Sequence, residues 1–180
     1  AEEGDVYAQS MALRSWGYSL HYGGDHAAAI AAMRAVRPLA LESGDRYLEA
    51  DAILIEAASR ALVGDLDEAE RLVEEALELG RAVGSARIRA MALVAGARAA
   101  LRSGRPGEAR ERLRAARRLL RPPTRLEVVD HLAAEAGMLL DAGRFGPLPR
   151  IAARLEAGVR ATGWRVWQPL APLALGRAQL

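Results

Sequence analysis

The sequence contains no cysteine, no lysine and no asparagine, and all 25 of its basic residues are arginine. Without cysteine there is no disulfide framework, no thiol nucleophile and no thiolate-bound zinc. Aromatic residues are scarce at 4%, so the 51% apolar content is mostly Ala and Leu. That composition favours helix over sheet. No run of 18 apolar residues occurs, so no membrane span is expected. The opening Ala1-Glu2-Glu3-Gly4-Asp5 is acidic and has no apolar core, so no signal peptide is expected and the cytoplasm is the default location. One sign of charge does not dominate either: 25 basic residues face 23 acidic ones, which argues against a nucleic-acid coat.

What the chain does contain is a repeat. Turn signals recur at Gly24, Gly64, Gly104 and Gly143, at spacings of 40, 40 and 39. Five residues after each glycine stand Ala29, Ala69, Ala109 and Leu148. Seven before stand Gly17, Ala57, Ala97 and Ala136, and eleven before stand Leu13, Ile53, Leu93 and Leu132. Twelve after stand Val36, Ala76, Ala116 and Leu155.

Each copy reads as two helices. Leu48, Ala52, Ile55, Ser59 and Leu62 are spaced for one helical face over 46–63. Gly64 then suits a left-handed C-cap, and Asp65 with Glu68 suits a capping box for a helix over 66–81. Gly84-Ser85 and Pro122-Pro123 end later pairs, and Pro147 is placed to open a second helix. The small residues have a packing reason. Antiparallel helices approach to roughly 8–10 Å when their crossing point carries short side chains. The expected fold is therefore an all-α right-handed solenoid of four antiparallel helix pairs plus a terminal helix. The repeats span about 6–43, 46–83, 86–122 and 125–162, with a partial fifth over 165–180.

This pattern resembles the tetratricopeptide repeat. That family carries a small residue on its first helix, a turn glycine, then Ala, a large apolar residue and Ala on its second. Gly17, Gly24, Ala29, Met33 and Val36 match in the first copy. Ala57, Gly64, Ala69, Val73 and Ala76 match in the second, and Ala97, Gly104, Ala109, Leu113 and Ala116 in the third. The period departs from the family's usual length of about 34, and Leu20, Arg60, Ala100 and Leu139 replace an aromatic. The longer period is similar to the MalT-like variety, found in large bacterial LuxR-type transcription regulators. The resemblance implies a non-catalytic sensing or interaction module of such a regulator, or alternatively a free-standing scaffold that joins proteins.

The resemblance also implies a groove lined by the first helices. Met11, Arg14, Tyr18 and Tyr22 form one stripe there, continuing the line of Tyr7. Asp51, Leu54, Ala58 and Leu62 follow, then Met91, Val94, Arg98 and Arg102, then Asp130, Ala133, Gly137 and Asp141. Tyr and Arg on a concave face are typical hot spots. The expected occupant is a protein, a peptide or a small-molecule effector. The stripe on the first helix equally suits packing against a preceding domain. The Lys and Asn clamp that some members use for a terminal carboxylate cannot be built from this composition.

The region 102–125 holds nine Arg against Glu108 and Glu111. One period apart, the second helices bring opposite signs together, which predicts a ladder of Glu70–Arg110, Arg71–Glu111, Glu74–Arg114, Glu78–Arg118 and Arg34–Glu74. Direct nucleic-acid binding is not expected. His21 and His26 are five apart, off one helical face, and no phosphate-cradling or Ser-His-Asp pattern occurs. No metal, no cofactor and no enzymatic activity are expected. An apolar C-terminal end, with Trp164 and Trp167, suggests self-association there.

Overall fold

The computed structural model describes residues 2–119, 125–141 and 146–162. Eight helices follow one another: α1 (Glu2–Gly23), α2 (His26–Glu42), α3 (Arg46–Val63), α4 (Leu66–Ala82), α5 (Ala86–Arg102), α6 (Pro106–Leu119), α7 (Arg125–Asp141) and α8 (Leu148–Thr162). Each packs against its neighbours in the chain, and α1, α3, α5 and α7 also meet one another in that order. The result is an all-α, solenoid-like stack of helix pairs. The fifth partial repeat, Pro122-Pro123 and Gly143 lie outside the described residues.

The turns explain the regularity. Gly24, Gly44, Gly64, Gly84 and Gly104 all have positive φ, between 66° and 93°. At Gly64 the left-handed conformation lets its N–H donate to the Arg60 carbonyl, 3.0 Å away, and so closes α3. A side chain there would strain the backbone. Asp25, Asp45 and Ser85 then accept from the N–H groups of Ala28, Leu48 and Ile88, capping α2, α3 and α5.

Asp65 departs from the expected capping box. Its carboxylate turns back to the Arg60 guanidinium and caps nothing. Glu68 is held by Arg71 through two bonds of 2.8 Å. A nearby arginine outcompetes a neutral N–H for a carboxylate, because the charge-assisted bond is stronger. Pro147 stands one residue before α8, and its carbonyl accepts from Ile151 N–H at 3.3 Å.

The crossing-point residues are buried as the repeat predicts. Ala29, Ala57, Ala69 and Ala136 are fully covered, with Ala97 and Ala109 nearly so. Ala97 and Ala109 share one core cluster with Val94, Leu113 and Ala116. At Gly17 a Cβ would stand 2.6 Å from the Met33 Cε, the movable end of its side chain, and 3.3 Å from the Ala32 Cβ, so the first pair closes tightly at this glycine. The main core runs from Met33 and Val36 of α2 through α3 and α4 to Ile88, Met91 and Ala95 of α5.

The charge ladder forms on a different register. Glu70 pairs with Arg105 and Arg112 at 2.7 Å each, and Arg37 pairs with Glu75 at 2.5 Å. Arg71 is held within its own helix, and Arg34 reaches Glu56 at 3.6 Å. The expected pairs Glu70–Arg110, Arg71–Glu111, Glu74–Arg114, Glu78–Arg118 and Arg34–Glu74 are replaced by these. The cause is the packing: α4 lies against α5, the first helix of the next pair, which separates it from α6. Only long side chains reaching diagonally can bridge that gap.

Candidate functional site

The candidate site lies where α1, α3 and α5 meet. Its centre is Asp51, which is fully buried in the middle layer. An isolated buried carboxylate is costly, so its neighbours must satisfy it. Arg14 Nε donates to Oδ2 at 2.6 Å, and Tyr18 O–H donates to Oδ1 at 2.8 Å. Arg87 Nη1 donates to the same Oδ1 at 3.0 Å, and its Nη2 donates to the Tyr18 oxygen at 3.2 Å. The Arg14 guanidinium also sits over the Tyr18 ring, 5.0 Å from its centre. Tyr47 O–H lies 3.4 Å from Arg87 Nη1, at the edge of the cluster. Burial and the Asp51 charge raise the Tyr18 hydroxyl well above the usual range, so it stays a neutral donor.

Below this cluster is a shallow depression lined by His21, Tyr22, Leu54, Ile55, Ala58, Arg87, Met91 and Arg98. It encloses about 10 Å³, room for a single water. His21 is the most deeply buried titratable group of its lining. The His21 Nδ1 and the Ser59 hydroxyl are 2.8 Å apart, and the ring packs edge-on against Tyr22 at 4.8 Å. Burial, then the Arg98 charge and then His26, push the His21 ring down to about 3, so it is neutral at ordinary pH. His26 is also lowered, by burial and Arg98, with Asp25 opposing. His131 is pushed down to about 4 by burial and then by Arg117, Arg98 and Arg154. Arg98 is itself only 8% exposed.

The structure brings together eight of the sequence-predicted residues. Arg14, Tyr18 and Asp51 form the cluster, while Tyr22, Leu54, Ala58, Met91 and Arg98 line the depression. Met11 is half-buried on the same helix and Tyr7 is exposed. Arg102 does something else: it donates to the Leu62 carbonyl at 2.7 Å and helps close the end of α3. Val94 and Ala133 belong to the core instead of the groove, because close neighbours cover both. Leu62 packs towards the α7–α8 core. Asp130, Gly137 and Asp141 stand on α7, and the surroundings of these three lie outside what is described.

Arg87, His21 and Ile55 are site residues that the sequence reasoning missed. A signal for Arg87 existed: Tyr7, Tyr47 and Arg87 are spaced by 40, one helical turn before the predicted stripe. Nothing comparable marked His21, whose partner Ser59 lies in another repeat.

Among the described residues no group of three His, Asp or Glu side chains is placed to hold a metal. No helix among them is long and apolar enough to cross a membrane. No protein-family model matches the chain, and no curated protein matches it. What the site offers chemically is a set of fixed guanidinium and hydroxyl groups beside an apolar wall, held rigidly by Asp51.

Proposed function

We propose that this chain is a non-catalytic binding module of the tetratricopeptide type, and that the α1–α3–α5 face takes a polypeptide partner. The observation that carries this reading is the convergence of Arg14, Tyr18 and Tyr22, Asp51 and Leu54, and Arg87, Met91 and Arg98 on one face. Large, pre-positioned Tyr and Arg side chains supply contact area with little ordering cost. The depression has room for one water, which favours a partner lying along the face over a small molecule enclosed within it. The resemblance of the repeat supplies the setting: a sensing or interaction domain of a bacterial transcription regulator.

Selection of random displayed peptides against the purified chain tests this. Selected peptides should slow amide hydrogen exchange in α1, α3 and α5, and Tyr22→Ala should weaken them. Binders that protect only α2, α4 and α6, or repeated selections that return none, would overturn the reading.

A further inference from the structure

We infer that the depression beneath the Asp51 cluster receives an acidic side chain of the partner, an inference that rests on the polypeptide reading above. Of the eight residues lining the depression, Arg87 and Arg98 are cationic and none is acidic. They stand on one helix, α5, and enter the depression from the same wall. A guanidinium carries five N–H donors in a planar fork, so each can take a ligand oxygen beside its partners within the protein. That fork matches the two oxygens of a carboxylate.

The surroundings favour an anion. Burial first, and the Arg98 charge after it, lower His21 and His26, and burial, Arg117 and then Arg98 lower His131, so three rings on three helices, α1, α2 and α7, feel positive charge. His21 stays neutral and adds no competing acid. Leu54, Ile55, Ala58 and Met91 supply the apolar remainder of the wall. The room for one water suits a single carboxylate oxygen, with the rest of the peptide outside.

The test uses two labelled decapeptides, alternating Glu-Ser and alternating Gln-Ser, titrated by fluorescence anisotropy against the full chain. The acidic peptide should bind at least about tenfold more tightly at about 0.05 M salt, and lose that advantage as salt rises. Arg98→Gln should remove most of the preference. Arg118→Gln deletes the same charge from the exposed end of α6 and should change affinity by less than about twofold.

Equal loss in both variants, each folded by circular dichroism, would mean general attraction to positive charge and would overturn the inference. Equal binding of both peptides, with protection of α1, α3 and α5, would overturn it while leaving the polypeptide reading intact. If Arg98→Gln fails to fold, the exchange map of the wild-type chain decides. Protection by the acidic peptide around Tyr22, Leu54 and Met91 supports the inference, and protection elsewhere sinks it.

Discussion

The seam between α1 and α3 and the seam between α3 and α5 occupy equivalent places in the repeat, yet they are built from opposite materials. The first is polar. Arg14 and Tyr18 reach across to Asp51, and His21 reaches Ser59. The second is small and apolar along its middle, with Arg87 donating to Asp51 near one end and Arg102 to the Leu62 carbonyl at the other. Ala61 and Ala99 share a cluster, and Leu54, Ala58, Met91 and Ala95 share another. The backbones follow suit: α3 and α5 run in close contact, whereas α1 touches α3 over a shorter length. Small residues let helices close until dispersion holds them. Long polar residues hold helices apart and join them by charge. The repeat pattern constrains the hairpin crossing, and leaves each inter-repeat seam to its own chemistry.

Acid should break the polar seam first and with the largest effect. The His21 ring has a lower proton affinity folded than unfolded, at about 3 against an ordinary 6.5. Protons therefore favour the unfolded chain. The stability that this histidine contributes is complete above about 6.5 and is lost as pH falls towards 3, with a slope of at most about 1.4 kcal/mol per pH unit. Urea titrations at a series of pH values should show that loss, and His21→Phe should reduce its slope, His26 and His131 supplying the remainder. An unchanged profile would remove His21 from the account.

Next in size, Asp51→Ala should destabilise by about 3 kcal/mol, because Arg14 and Arg87 lose their shared carboxylate and Tyr18 its acceptor. Both arginines keep partial access to water, which holds the loss below that of a wholly buried pair. Chemical denaturation measures it. A loss under about 1 kcal/mol would show that the cluster serves only binding.

The apolar side of the comparison is probed by Ala97→Leu and Ala109→Leu. Each should cost about 1–3 kcal/mol by overpacking, while a change at exposed Glu111 should cost little. Equal thermal shifts in all three would contradict the packed crossing.

The smallest effect is expected on the outer helices. A double-mutant cycle on Glu70 and Arg112 should give a coupling of about 0.5–1 kcal/mol that fades in salt, and one on Glu70 and Arg110 should give none. Coupling in the second cycle alone would restore the straight ladder.

How much of this was legible depends on the range of the interaction. Helix boundaries and hairpin crossings come from contacts within a few residues, and Gly64, Ala97 and Ala109 announced them. The groove stripe was legible where one helix supplies it, as at Arg14, Tyr18 and Tyr22. Asp51 was placed on the groove, but its role as the buried anchor of three helices depends on Arg87, whose reach across two seams no spacing encodes. Arg102 looked like its stripe neighbours, yet an adjacent helix end offered it a carbonyl. The charge ladder failed for a related reason. Counting one period forward assumes parallel neighbours in contact, and the intervening α5 makes Glu70 meet Arg112 on a diagonal.

The left-handed glycines at 24, 44, 64, 84 and 104 fall every 20 residues, so the bend inside a pair and the bend between pairs are the same bend. Over these five turns the glycines alone do not mark where a unit starts. A deletion or duplication of 40 residues between any two alternate glycines rejoins like with like, and the frame of inner and outer helices survives. A cut of 20 rejoins just as smoothly at the turn but turns every later helix inside out, setting charged outer faces where alanines belong. Gene rearrangement in such a chain is therefore read in steps of two turns, and an odd step leaves the local geometry intact while destroying the core.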